Sequence, residues 1–209
     1  MIELSNLYMF IIASFLLCIA PGPDNIYVLT QGMTKSKKAA IITTLGLCTG
    51  LIIHTSAAAF GISMIFKTSQ IAFDIVKYLG VAYLLYIAYQ VYKHRNEPLN
   101  LDTKASKKDL KALYFKGFLM NILNPKVSIF FLAFLPQFVS VQNGNIPLQM
   151  IILGLIFMAL TIIVFSLIGV AGNLLSEKLL NNPKIVKYMN ILTSFVLISL
   201  GVKLALSQR

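Results

Sequence analysis

Asp24 and Lys126 are ionisable residues inside long apolar stretches, and each stands beside proline. The first stretch, Leu7–Met33, contains Pro21-Gly22-Pro23-Asp24-Asn25. The second, Tyr114–Val141, contains Asn121 and then Asn124-Pro125-Lys126. An unshielded Asp or Lys at bilayer depth costs about 2.5–3.5 kcal/mol even on lenient insertion scales. Proline withholds a helical N–H and frees a carbonyl at the same level. Two such coincidences, in matching places in the two halves of the chain, look like a transport site. The candidate binding set is Pro21, Gly22, Pro23, Asp24, Asn25, Asn121, Asn124, Pro125 and Lys126. Two duller roles stand beside it: Asp24 suits the N-cap of a helix restarting after Pro23, and Lys126 could snorkel toward an interface.

Other polar residues in the apolar stretches are few. Gly46, Gly50 and His54 recur at i, i+4 and i+8, with Gly61 two turns on. Small residues at this spacing let a second helix approach closely. His54 is either a buried hydrogen-bonding residue or, with Asp24, a carrier of coupled protons, a task its ordinary titration range suits. No Asp, Glu, Cys or second His stands in ligand spacing around it, so no metal site is expected. Cys18 and Cys48 raise the possibility of a membrane thiol oxidoreductase, but the repeat described below places Asn121, not a second thiol, opposite Cys18. Both suit small apolar packing roles. Tyr83 and Tyr86 share a face and either pack or line a cavity, while Tyr89 and Tyr92 fit an interfacial belt. No nucleophile–base pair, phosphate-cradling glycine loop or carboxylate dyad is present, so neither enzymatic activity nor a cofactor is expected.

The elements that must position these residues follow from composition. Of 209 residues, 57% are hydrophobic and 12% charged, with a mean hydropathy of +0.80. Soluble domains carry about a quarter charged residues, so the expectation is an all-α polytopic membrane protein. Six apolar runs are long enough to span: Leu7–Met33, Ala39–Phe66, Ile71–Tyr92, Tyr114–Val141, Leu148–Leu175 and Ile185–Leu206. Glu3 and the length of the first run argue against a cleaved signal.

The net charge of +11 orients the chain and does not signal nucleic acid. Thirteen of the eighteen Lys and Arg fall on one side if the first, third and fifth loops share it. By the positive-inside rule that side is cytoplasmic, and both termini lie outside. The 93–113 loop, with Lys104, Lys107 and Lys108, is a basic linker that could also touch anionic lipid.

An internal repeat divides the remainder into 1–92 and 114–209. Phe15–Pro21 lies over Phe118–Asn124, with Pro21 one step from Pro125. Three spans per half is an odd number, so the halves enter the membrane in opposite senses as inverted repeats with broken helices 1 and 4. Helical rise puts Asp24 about 16 Å and Lys126 about 18 Å from the cytoplasmic surface. Opposite charges thus reach one depth from antiparallel directions.

Several motifs together resemble the lysine exporter / homoserine-threonine resistance (LysE/RhtB) family. They are Ala20-Pro21-Gly22-Pro23-Asp24-Asn25, Gly46-x3-Gly50-x3-His54, Tyr78-Leu79-Gly80-x2-Tyr83-Leu84, Gly117-Phe118-x2-Asn121-x2-Asn124-Pro125-Lys126 and Phe131-x2-Phe134-Leu135-Pro136-Gln137-Phe138. One departure is Ala39-Ala40, where relatives often have glycine after the basic turn. The resemblance implies a bacterial plasma-membrane carrier that exports amino acids, driven by protons or by exchange, with the bilayer and a small-molecule substrate as its partners. On this expectation Asp24 and Lys126 pair when the site is empty and offset each other's desolvation. A zwitterion opens the pair, its ammonium going to Asp24 and the freed carbonyls, its carboxylate to Lys126 and the N–H groups of restarting helices. An inorganic-cation exporter is the other transport alternative, and a central Lys126 disfavours it.

Overall fold

The computed structural model describes residues 2–62, 70–97, 110–140, 142, 144–174 and 182–206. Among these the regular structure is helical, with no strand. The elements are α1 (Leu4–Ile19), α2 (Pro23–Thr34), α3 (Lys37–Ser56), α4 (Gln70–Lys93), α5 (Leu110–Ile122), α6 (Pro125–Ile129), α7 (Ile146–Leu174) and α8 (Pro183–Leu206). A π-helical turn, Ala57–Ile62, extends α3. A second π turn, Phe130–Phe134, and a 3-10 turn, Leu135–Phe138, extend α6. The basic run Lys104–Asp109 and Lys67 lie outside the described residues.

Each predicted span has its helix, and the two proline-bearing spans are broken where expected. Four continuous helices are long and apolar enough to cross a membrane, and the count is six if each bent pair forms one span. α1 and α2 meet at 57°, while α5 and the segment Pro125–Phe138 meet at 49°. The first break spans Ala20, Pro21 and Gly22. Pro21 cannot continue α1, whereas Pro23 occupies the first turn of α2, where its missing N–H has no helical partner to lose. Ser36 starts α3, its Oγ accepting from Ala39 N at 3.1 Å.

The broken pairs are clamped between longer helices. α3 packs against α5 and α7, α2 and α1 against α7, and α4 against α8. Glycine permits the tightest crossing. A Cβ on Gly46 would sit 2.1 Å from Tyr114 O, and one on Gly50 would sit 2.7 Å from Asn121 Oδ1. The Gly46–Gly50–His54 face is therefore the α5-facing side of α3. Gly61 departs from that pattern, with nothing within 4 Å of an added Cβ. Tyr78, Tyr86, Tyr89 and Tyr92 are exposed on α4, so the tyrosine face belongs to the periphery. Phe10, Phe130, Phe131, Phe134, Phe138 and Phe157 form a fully buried aromatic cluster beside the breaks. Tilted and edge-on ring contacts, such as Phe130–Phe157 at 5.0 Å and Phe134–Phe138 at 5.1 Å, join them.

Candidate functional site

Broken helices leave carbonyls without donors, and following those carbonyls locates the site. Pro21 has no N–H to give Leu17 O, four residues earlier. The carbonyls of Cys18 and Ala20 lose their helical donors because the chain turns away at Gly22. Side chains take these places: Lys126 Nζ donates to Ala20 O at 3.1 Å and to Leu17 O at 3.4 Å. Asn25 Nδ2 makes a short hydrogen bond to Cys18 O. Thus the cation of the second broken span caps the carbonyls of the first.

The second break follows the same arithmetic with different partners. Pro125 withholds a donor from Asn121 O, which accepts from Asn124 N at 3.0 Å and lies 3.0 Å from His54 Nε2. His54 fills this role in the tautomer that carries hydrogen on Nε2. Asn124 Oδ1 accepts from Lys126 N at 3.0 Å and so caps α6. The N-terminus of α2 has no such cap, since Gly22 supplies no side chain. Its first N–H groups have no acceptor within the helix.

Asp24 is 2% exposed and Lys126 7%, and both line one narrow cavity with Asn121. They are not within salt-bridge distance, unlike Lys77 and Asp74, which meet at 3.4 Å on α4. The expected direct pairing is therefore corrected: Lys126 spends its donors on backbone carbonyls. Asp24 Oδ2 accepts a long 3.5 Å bond from Asn121 Nδ2, and Asn124 is the other hydrogen-bonding neighbour of its carboxylate. Asn25 Oδ1 and Asn121 Oδ1 are buried without a hydrogen-bond partner among the described residues. Buried polar groups are nearly always satisfied, so this cluster is the candidate place for a polar ligand.

Not every candidate reaches the cavity. Asn25, Asn124 and His54 border it through the bonds just described. A Cβ on Gly22 would lie 3.0 Å from Lys126 Nζ, so the bare backbone there leaves room for the ammonium. Pro23 and Pro125 are exposed and face outward into a groove with Phe115 and Leu119. The prolines shape the site without lining it. The two cysteines are free thiols: Cys18 Sγ lies 3.5 Å from Thr161 Oγ1, and Cys48 Sγ lies 4.0 Å from Met158 O.

The chain matches the model of the LysE type translocator family over residues 15–208. It belongs to that family. It is 32% identical to an uncharacterized membrane protein, YrhP, of Bacillus subtilis (strain 168), over 97% of this chain and 99% of the relative. It is 27% identical to an uncharacterized membrane protein of Vibrio cholerae, over 94% of each. No solved structure matches it. The chain is thus a multi-pass membrane transporter for a small molecule, in a family of translocators.

In this LysE-type translocator, α7 contributes a wall that sequence reasoning missed. Phe157, Thr161 and Phe165 follow at i, i+4 and i+8 and face the cavity. Thr161 stands near the middle of the most apolar span, mean hydropathy 3.0, and that position was the available signal. The cavity is about 10 Å³, room for roughly one water. Anything larger requires the helices around it to part.

Proposed function

We propose that this translocator exports amino acids across the bacterial plasma membrane, coupled to protons, by alternating access around the Asp24–Lys126 cavity. One observation carries the reading. A buried acid held by neutral amide side chains and a buried base on backbone carbonyls share a cavity at the uncapped N-terminus of α2. An α-amino acid presents the complementary groups. Its ammonium replaces Lys126 at the Leu17 and Ala20 carbonyls and meets Asp24. Its carboxylate takes Lys126 Nζ and the N–H groups of α2, whose dipole favours an anion.

The helix pairings support inverted repeats as the moving units. α3 with α7 and α4 with α8 pair second spans and third spans of the two halves. The α3–α5 contact has a smaller counterpart in the α7–α1 contact, while the α2–α7 contact has no comparable one between α3 and α6. A two-fold axis in the membrane plane would account for the shared part of this pattern, and rocking one half against the other would open the cavity. The basic loops orient this assembly with both termini outside. Asp24 and His54 act on opposite ends of Asn121, so a proton reaching Asp24 is felt at the break that His54 caps.

The test is efflux of labelled amino acids from preloaded proteoliposomes, with and without a proton gradient directed inward, relative to the direction of export. Gradient-driven efflux that vanishes in Lys126→Ala is the expected result. No efflux of any amino acid from folded protein sinks the proposal. Asp24→Asn keeps the shape and is expected to remove gradient dependence; if gradient-driven efflux persists at its normal rate, the coupling role of Asp24 is wrong.

A further inference from the structure

The cavity lining is divided unevenly among its elements. Asp24, Asn121 and Lys126 stand on the two broken spans, together with the apolar Leu17 and Val127. Leu51 of α3 and Phe157 and Phe165 of α7 add an apolar lining without charge. The cavity's two other hydrogen-bonding side chains are occupied with each other or with backbone: Cys18 Sγ and Thr161 Oγ1 are 3.5 Å apart, and Thr161 Oγ1 donates to Phe157 O at 2.8 Å. Among the described residues the buried charged side chains are Asp24, Lys126 and Lys77, and Lys77 meets Asp74 at 3.4 Å. The wall therefore holds no charge for a substrate side chain.

We infer that the substrates are neutral amino acids with apolar side chains, of the leucine, valine and methionine type, held with the side chain against the α7 wall. This rests on the proposed amino-acid export and deepens it. With ammonium and carboxylate fixed at the helix breaks, the remaining direction from the α-carbon is toward α3 and α7. A lysine or glutamate side chain there would bury a charge without a partner, since Asp24 and Lys126 already serve the zwitterion. A branched or thioether side chain loses water and gains packing against Leu51, Phe157 and Phe165. Threonine brings a hydroxyl to a wall whose one hydroxyl donates to Phe157 O and has only accepting lone pairs left to offer.

The experiment compares efflux of leucine, valine, methionine, phenylalanine, threonine, lysine and glutamate at equal internal concentration from proteoliposomes holding the full chain. Leucine, valine and methionine are expected to leave at least about tenfold faster than lysine or glutamate, the discrimination a pocket of this kind provides. Lysine or glutamate leaving as fast as leucine overturns the inference while amino-acid export stands. If protein that elutes as a single folded species moves no amino acid, export itself fails and this inference falls with it. Two variants locate the wall. Thr161→Val, close in shape, is expected to raise the leucine-to-threonine ratio, and Phe157→Leu to raise the phenylalanine-to-leucine ratio, each severalfold. Unchanged ratios in both, with folding intact by thermal melting, place the side chain elsewhere and overturn it.

Discussion

The two helix breaks look alike in sequence and differ in how their backbone groups are satisfied. At the second, Asn121 O accepts from Asn124 N of its own span and lies beside His54 of α3, and Asn124 caps α6, so the break holds without a charged partner. At the first, two orphan carbonyls depend on Lys126 from another span, and α2 begins without a side-chain cap. A break held without a charged partner is a rigid support; a break satisfied by a borrowed cation can release it. The second break thus holds Lys126 in position, and the first is where a substrate can compete for it. On the proposed reading, binding chemistry concentrates at the less complete of two similar structures.

The largest effect should come from the residue that joins the breaks. Lys126→Ala leaves the Leu17 and Ala20 carbonyls unpartnered and removes the cation offered to a carboxylate. Truncating one member of a buried, hydrogen-bonded charge arrangement costs about 2–5 kcal/mol, so efflux should fall by between about thirtyfold and several thousandfold. Lys126→Met keeps most of the bulk and separates the terms. Its melting temperature should lie between wild type and Lys126→Ala, while its efflux should be as low as that of the alanine variant. Efflux near wild type in Lys126→Met would show that the charge is dispensable.

Restoring the missing donors should affect the breaks unequally. Pro21→Ala returns an N–H that can compete with Lys126 for Leu17 O. A net hydrogen bond of about 1 kcal/mol would straighten α1 into α2 and slow efflux roughly fivefold. Pro125→Ala offers a donor to a carbonyl that already has Asn124 N and His54 Nε2, so efflux should change by less than about twofold. Equal losses in the two variants would remove the distinction between an open and a closed break. Parallel circular dichroism and transport on both proteins decide it.

Much of this was legible before the structure, and the limit has a physical cause. Asp24 and Lys126 stand out because charges are expensive in apolar runs, and the prolines mark where helices must stop. Residue numbering even names the freed carbonyls, Leu17 and Asn121, four residues before Pro21 and Pro125. It does not name their partners. That Lys126 turns to Ala20 O and not to Asp24 depends on how two bent spans cross, which no local pattern encodes. The α7 wall was hidden for another reason: in a helix apolar on nearly every face, Phe157 and Phe165 offer no periodic contrast. Gly61 shows the converse, since its spacing matched Gly46 and Gly50 but an added Cβ there would meet nothing within 4 Å among the described residues.

The smallest predicted effects exchange the caps themselves. Asn124→Ala removes the Oδ1 that accepts from Lys126 N and should cost about 1 kcal/mol of stability. Efflux should change little, because Lys126 Nζ keeps its carbonyl partners. Gly22→Ser makes the opposite change, giving α2 a hydroxyl that can accept from its free N–H groups. Gly is only a few tenths of a kcal/mol poorer than Ser as a cap, so stability should barely move. The new side chain also starts 3.0 Å from Lys126 Nζ, a flexible tip that can shift. Yet the hydroxyl would occupy the N–H groups assigned to the substrate carboxylate, so the Michaelis constant for efflux should rise. Loss of stability without loss of transport at one cap, and the reverse at the other, is the outcome that an open first break requires. If both variants change stability and transport together, the N-terminus of α2 is an ordinary helix start and the carboxylate binds elsewhere.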